Sequence, residues 1–428
     1  MMEKIPFSQL KEDLYHEKMT NGLEVYILPK PEFNKTYATF TTKYGSIDNQ
    51  FVPLKQTEMT KVPDGIAHFL EHKLFEKEDG DVFQQFSKQG ASANAFTSFT
   101  RTAYLFSSTS DFERNFETLI DFVQDPYFSD QTVEKEKGII GQEITMYDDN
   151  ADWRLYFGVI QNMYHHHPVK IDIAGTIESI SHITKELLYT CYETFYHPSN
   201  MLLFVVGPVD PEQVMNQVRE NQAKKDYHDQ PEIKRHFEDE PEGVAKAKQI
   251  IPMTVQSSKC LVGVKAKNPQ RAGREMLVHE LAMNVMLDYL FGKSSEHYEN
   301  LYREGLIDET FSYDYTEEKG FGFAIIGGDT EKPDELADRI KGILLQIREN
   351  PMTDEQLERV RKKKIGAFLR SLNSPEFIAN QFTRYAFNDM DLFDVVDVLE
   401  TLTKEDIEKI TNELVDENNM TVCQVVPK

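Results

Sequence analysis

Cysteine is scarce in this chain. Its three residues of that type, Cys191, Cys260 and Cys423, are odd in number and sit in largely apolar stretches. They exclude a disulfide framework and read as buried free thiols of a reducing cytoplasm. Long apolar runs are also missing, since nothing approaches the roughly eighteen consecutive apolar residues of a membrane span. The first ten residues carry Glu3 and no apolar run, so they read neither as a secretory leader nor as an Arg-rich transit peptide. Positive charge is in deficit: 47 Lys and Arg face 72 Asp and Glu, a net charge of −25. Such a surplus repels a phosphate backbone and argues against nucleic acid as a partner.

Against these absences stands one dense motif. His68-Phe69-Leu70-Glu71-His72 is an H-x-x-E-H pentad. On a helix, positions i, i+3 and i+4 share a face, so both imidazoles and the carboxylate point into one small volume. Two histidines a turn apart suit a zinc ion, which takes imidazole nitrogen at about 2.0–2.1 Å. Glu71 adds what a purely structural site lacks, a carboxylate able to take a proton from the metal's water. The order reverses H-E-x-x-H and is itself a zinc-peptidase signature. Pro63-Asp64-Gly65 closes a loop before the pentad, and Ile66, Phe69, Leu70, Leu74 and Phe75 recur at a helical period. The bland alternative is a pair of satisfied histidines on a core helix.

A catalytic zinc usually keeps three protein ligands, so a third is sought downstream. Between Val133 and Glu143, Glu136 and Glu143 lie seven apart and share a helical face, with Ile139 and Ile140 between them. A helix rich in Glu and Lys is by itself an ordinary solvated face.

The pentad followed some seventy residues later by E-x-x-x-x-x-x-E resembles the pitrilysin family of zinc peptidases, which includes insulin-degrading enzyme and the mitochondrial processing peptidase. The resemblance implies that His68, His72 and Glu143 hold one Zn²⁺ per chain. It makes Glu71 the general base acting on zinc-bound water, and Glu136 a carboxylate that supports a ligand. It extends through Gly90-Ala91-Ser92-Ala93-Asn94-Ala95-Phe96-Thr97, which is similar to the family's substrate-pairing strand, and so implies substrate contacts at Ala93, Asn94 and Ala95. Tyr196-His197-Pro198-Ser199-Asn200-Met201, leading into Val205-Val206-Gly207, resembles the end of the family's first domain. The stretch from Leu301 to Asp308 looks like a bacterial branch of the family. In the family's second domain an Arg and, seven residues later, a Tyr grip the substrate backbone. Arg303 fits the first, whereas Thr310 stands at the second, with Tyr313 and Tyr315 displaced.

The length suggests two domains, and the chain repeats itself. Ile183-Thr184-Lys185-Glu186 precedes Asn200-Met201 and Pro208, and Leu402-Thr403-Lys404-Glu405 precedes Asn419-Met420 and Pro427 at identical spacings. Each copy reads as a threonine-capped helix followed by a buried strand. The expected organisation is a zinc-binding domain over 1–225, a polar linker over 226–243 and a homologous, metal-free domain over 244–428. Asn21-Gly22 reads as a hairpin turn, with strands near 36–44, 100–107, 246–255, 260–265 and 311–326. Helices are expected near 111–123, 212–221, 271–290, 333–349 and 354–372. The fold class is α+β: two homologous domains, each a mainly antiparallel sheet packed with helices, forming half of a peptidase clamshell.

Other signals carry less. Adjacent side chains diverge on any regular element, so His165-His166-His167 is a poor metal cluster. Gly292-Lys293-Ser294 lacks the earlier glycine of a phosphate loop. Phe83, Phe86 and Phe96 read as core. His279-Glu280 falls where the pentad would repeat, but nothing completes it, so only the first half can hold zinc. The functional expectation is a bacterial, cytoplasmic zinc endopeptidase that hydrolyses peptides or unfolded segments inside a chamber closed by two halves or two chains, a homodimer or heterodimer with a related subunit. The alternative is a peptide-binding or structural subunit of a heterodimeric processing peptidase, with little activity of its own.

Overall fold

A computed structural model of the chain describes residues 1–78, 80–267 and 269–428. In the first unit, strands β1 (Glu3–Phe7), β2 (Glu12–Lys18), β3 (Glu24–Pro29), β4 (Thr36–Thr42), β5 (Ala91–Thr97), β6 (Thr102–Ser108) and β7 (Met201–Gly207) form one sheet in the order β1-β2-β3-β7-β4-β6-β5. In the second, β8 (Lys248–Met253), β9 (Lys259–Lys265), β10 (Ser312–Glu318), β11 (Phe321–Asp329) and β12 (Met420–Pro427) run β8-β12-β9-β11-β10. Helices α1 (Ile66–Leu74), α2 (Asp130–Asp149), α3 (Ala151–Met163), α4 (Lys185–Phe195), α5 (Gly273–Phe291), α6 (Asp354–Ser371), α7 (Pro375–Phe387) and α8 (Lys404–Leu414) lie between the strands, with further helices over Val82–Lys88, Phe112–Val123, Pro211–Gln222, Glu296–Arg303 and Pro333–Gln346.

The two sheets carry one topology. β7 runs parallel to β3 and antiparallel to β4, and β12 runs parallel to β8 and antiparallel to β9. All other pairs are antiparallel, so each sheet is mainly antiparallel and the strand sequence β3-β7-β4-β6-β5 is repeated by β8-β12-β9-β11-β10. The sequence echo marks equivalent places in these copies. Thr184 caps α4 by accepting from the Leu187 amide, and Thr403 caps α8 through a reciprocal pair with Asp406. The strands that follow, Met-Leu-Leu-Phe-Val-Val and Met-Thr-Val-Cys-Gln-Val, are buried along those lengths, as expected of central strands covered on both faces. The Asn21-Gly22 turn links β2 to β3 with Gly22 at φ 88°, a left-handed conformation natural to glycine.

The compact units differ from contiguous halves. One comprises Met1–Ile144, Asp172–Phe237 and Ser371–Phe387, and the other Thr145–Ile171, Glu238–Arg370 and Asn388–Lys428. The helix that follows each long charged helix is thus exchanged: α3 packs on β12 and β9, and α7 on β7 and β4. Packing, which connectivity does not reveal, decides this. A Cβ at Gly158 of α3 would meet Cys423 Sγ at 2.6 Å, so the helix lies flat on β12 only because that side chain is missing. Phe382 of α7 meets the Tyr26 and Phe204 rings at 4.8 and 4.7 Å. The polar segment 226–243 is largely exposed and tethered on both sides. The His236 amide donates to the Gln50 carbonyl and Arg235 Nε to Asp48 in the first unit, while Glu240 is anchored in the second. Phe86 is fully buried, whereas Phe83 is 41% exposed, stacked on Phe75.

The triple histidine has a structural use. The amides of His165, His166 and His167 all donate to the Glu240 carboxylate at 2.7–2.8 Å, and Lys265 Nζ donates at 2.6 Å. Burial opposes ionisation of Glu240, yet Lys265 and the three amides outweigh it and pull its pKa down to about 2. A depressed carboxylate stabilises the fold above its ordinary pKa near 4.5, and that contribution is lost as pH falls towards about 2. Glu240→Gln is therefore expected to cost about 1–2 kcal/mol at pH 7, after discounting for partial exposure. Denaturant melts should show the gap between mutant and native protein closing between pH 5 and pH 2.

Candidate metal centre

Helix α1 is buried on almost every side: of its nine residues only His72 is not fully covered. Its start is set by Gly65, left-handed at φ 90°. A Cβ there would strike the Ala174 carbonyl at 2.4 Å, and one on Gly175 would strike the Asp64 carbonyl at 2.4 Å. The loop 172–176 therefore presses on the helix entrance at two glycines and fixes its rotation. Helix α2 approaches with Val133, Glu136, Ile140 and Ile144 buried, a stripe at helical spacing that carries Glu136 inward and places Glu143 on its flank.

These elements bring His68, His72 and Glu143 together. One ligand atom from each lies within 4.8 Å of the others, and among the described residues this is the one such group of three found. His68 Nε2 and His72 Nε2 each stand 3.7 Å from a different oxygen of Glu143. Donors sharing a tetrahedral ion at about 2.0–2.1 Å lie about 3.3–3.4 Å apart, so the spacing fits a zinc site a few tenths of an ångström wider than closed. The donor set of two imidazoles and one carboxylate also fits. His72 Nδ1 is 3.1 Å from Glu136, which turns Nε2 towards Glu143. His68 Nδ1 is buried without a hydrogen-bond partner, and its ring packs edge-on against His72 at 4.5 Å.

The electrostatics follow from exclusion of water. Burial, with the His72 imidazole beside it, pulls His68 down to about 4 and keeps it neutral, the form that binds metal. Burial also opposes the charge on His72, but the Glu136 hydrogen bond and the surrounding carboxylates outweigh it and raise its pKa. Glu71 is buried, which pushes it up to about 7 against the Thr97 hydrogen bond and the His72 charge. A carboxylate near neutrality beside a ligand cluster is poised to exchange a proton.

Ala93, Asn94 and Ala95 lie on β5, which among the described residues pairs with β6 alone and so forms an edge of its sheet. Asn94 is exposed, and its Oδ1 accepts from the Ala95 amide at 2.9 Å. The Ala95 amide therefore points to the open side of the strand, as do those of Ala93 and Thr97 by the two-residue alternation. Arg303 belongs to the second unit, at the end of the helix Glu296–Arg303, exposed and paired with Glu299 at 2.5 Å. Thr310 is taken up locally, holding Asp308 and the Asp329 amide. Tyr315 is buried and donates to Glu317, whereas Tyr313 is only half-buried, beside Lys364. Thr97 carries no motif that sets it apart in the sequence. What marks it is its place as the last residue of β5, in the same parity as Ala93 and Ala95.

Known proteins match this architecture. The family model "Insulinase (Peptidase family M16)" matches residues 58–177, and "Peptidase M16 inactive domain" matches 182–364. A Bacillus subtilis protein named "Uncharacterized zinc protease YmfH" is 70% identical over all of both chains. A solved structure from Alicyclobacillus acidocaldarius, described as an M16-like peptidase, superposes with a TM-score of 0.94 at 42% identity, covering 97% of this chain and 99% of that one. Pitrilysin shares the fold with a TM-score of 0.77 at 15% identity, this chain spanning 46% of its length. With a relative 70% identical over all of both chains and family models matching residues 58–177 and 182–364, the chain belongs to the M16 family of peptidases.

Proposed function

We propose that this chain is a zinc-dependent endopeptidase acting on peptides or unfolded segments. The observation that carries this reading is the convergence of His68, His72 and Glu143 beside a buried Glu71 whose pKa lies near neutrality. His68 Nε2, His72 Nε2 and Glu143 would hold one zinc per chain. When bound, zinc supplies Lewis acidity, polarising the scissile carbonyl and acidifying the attacking water. Glu71 takes the proton of that water and hands it to the leaving amine. Glu136 accepts the His72 Nδ1 proton and so leaves Nε2 bare as a ligand. The substrate backbone pairs with the open edge of β5, where the Ala95 amide faces outward and would exchange its bond to Asn94 Oδ1 for one to the substrate, in the manner of an added strand. Three buried free cysteines accord with a reducing cytoplasm, and no helix among the described residues is long and apolar enough to cross a membrane.

A second reading is favoured by one observation. The hydroxyl of Thr310 is taken up in its own loop, and Tyr315 is locked beneath the surface by Glu317 and His279, so neither is free to grip a substrate carbonyl. The chain then works with a related subunit that supplies this contact. Measuring the zinc-loaded chain alone separates the two. Slow turnover restored by a partner chain supports the dimer, and robust turnover that falls on Tyr313→Phe supports self-sufficiency.

His72→Ala should abolish the zinc found by metal analysis of protein purified without chelator, from about one ion per chain to a trace. Glu71→Gln should retain the ion yet lower peptide hydrolysis by about two to four orders of magnitude. Full zinc content in the first variant, or unchanged turnover in the second, contradicts the assignments.

A further inference from the structure

The Glu71 carboxylate is nearly enclosed, and among the described residues one hydroxyl reaches it. Thr97 Oγ1 donates to Glu71 Oε2 at 2.6 Å, a short bond of the charge-assisted kind. The proton has little choice of direction. Behind Thr97 stands the fully buried Thr102, whose hydroxyl lies 3.4 Å from Thr97 Oγ1 and donates to the Tyr44 carbonyl at 2.9 Å. Thr97 is thus backed by a hydroxyl already committed elsewhere, and its own proton goes to the carboxylate. Threonine is branched at Cβ and stiff in χ1, so its hydroxyl is aimed by the backbone that bears it. That backbone is the last residue of β5, paired with Thr102 and in the same parity as Ala93 and Ala95.

We propose that Thr97 is the positioning residue for the base: it holds one Glu71 oxygen, leaves the other for the attacking water, and ties the base to the strand on which the substrate backbone pairs. The inference rests on the peptidase reading above. A hydroxyl that merely filled space would be replaced without loss by a methyl of the same size, and a hydroxyl that orients the base would not.

Thr97→Val in the zinc-loaded full chain, assayed with a quenched-fluorescent decapeptide mixture, should lower kcat by about 10–100-fold, with KM within about twofold and zinc per chain unchanged. Thr97→Ser, which restores the hydroxyl, should recover kcat to within about threefold of the native value. A second readout needs no activity. In chelator-treated protein, Thr97→Val should lower Tm by about 2–4 °C, because a buried carboxylate loses its donor. In a Glu71→Ala background, with no carboxylate to serve, the same change should lower Tm by less than about 1 °C. Equal Tm losses in both backgrounds, or a serine variant as poor as the valine one, overturn the proposal. If the native chain cleaves no peptide, the peptidase reading falls, and the Tm comparison alone decides whether Thr97 holds Glu71.

Discussion

Two imidazoles and three carboxylates of one unit meet where water is largely excluded, and the surrounding structure is organised to make that tolerable. A carboxylate moved out of water costs several kcal/mol unless it finds partners. Glu136 has His72, Glu71 has Thr97, and Glu143 faces the Nε2 atoms of His68 and His72. A divalent cation between these last three would be the strongest local charge and the largest single offset. Everything that fixes the geometry serves this end: the glycine contacts at the entrance of α1, the stripe of Val133, Ile140 and Ile144 that seats α2, and the Thr102 hydroxyl behind Thr97.

The second copy of the fold meets the same constraint differently. In its long helix α5, His279 contacts the fully buried Glu317 at 2.6 Å and lies 3.6 Å from Glu413. Arg271 pairs with both glutamates, and Tyr315 donates to Glu317. Burial would raise Glu317, but His279, Tyr315 and Arg271 prevail and its pKa is lowered. A fixed guanidinium here occupies the electrostatic role that an ion would take in the first unit, and a single histidine offers no second imidazole for a metal. One topology thus carries an internally neutralised cluster in one copy and an open donor set in the other.

Much of this was legible beforehand because it rests on local periodicity. The pentad needs only a helix to converge, Glu136 and Glu143 need only a second, and the threonine caps and their following strands repeat in plain sequence. What was not legible rests on packing between distant segments. Nothing in the sequence of α3 or α7 says which sheet it covers, since that is decided by gaps such as the one at Gly158. The His165–His167 nest for Glu240 joins residues some seventy positions apart through backbone amides, which leave no side-chain signature. Thr97 escaped because a lone threonine in a strand is unremarkable until its neighbour across space is known.

The central claim is that the cluster in the first unit is a metal site of two imidazoles and one carboxylate. Zinc K-edge absorption fine structure of the metal-loaded protein tests it directly. The account predicts a first shell of two imidazole nitrogens with oxygen donors at about 2.0–2.1 Å and no sulfur. A shell containing sulfur, or one with three or more imidazoles, would contradict it.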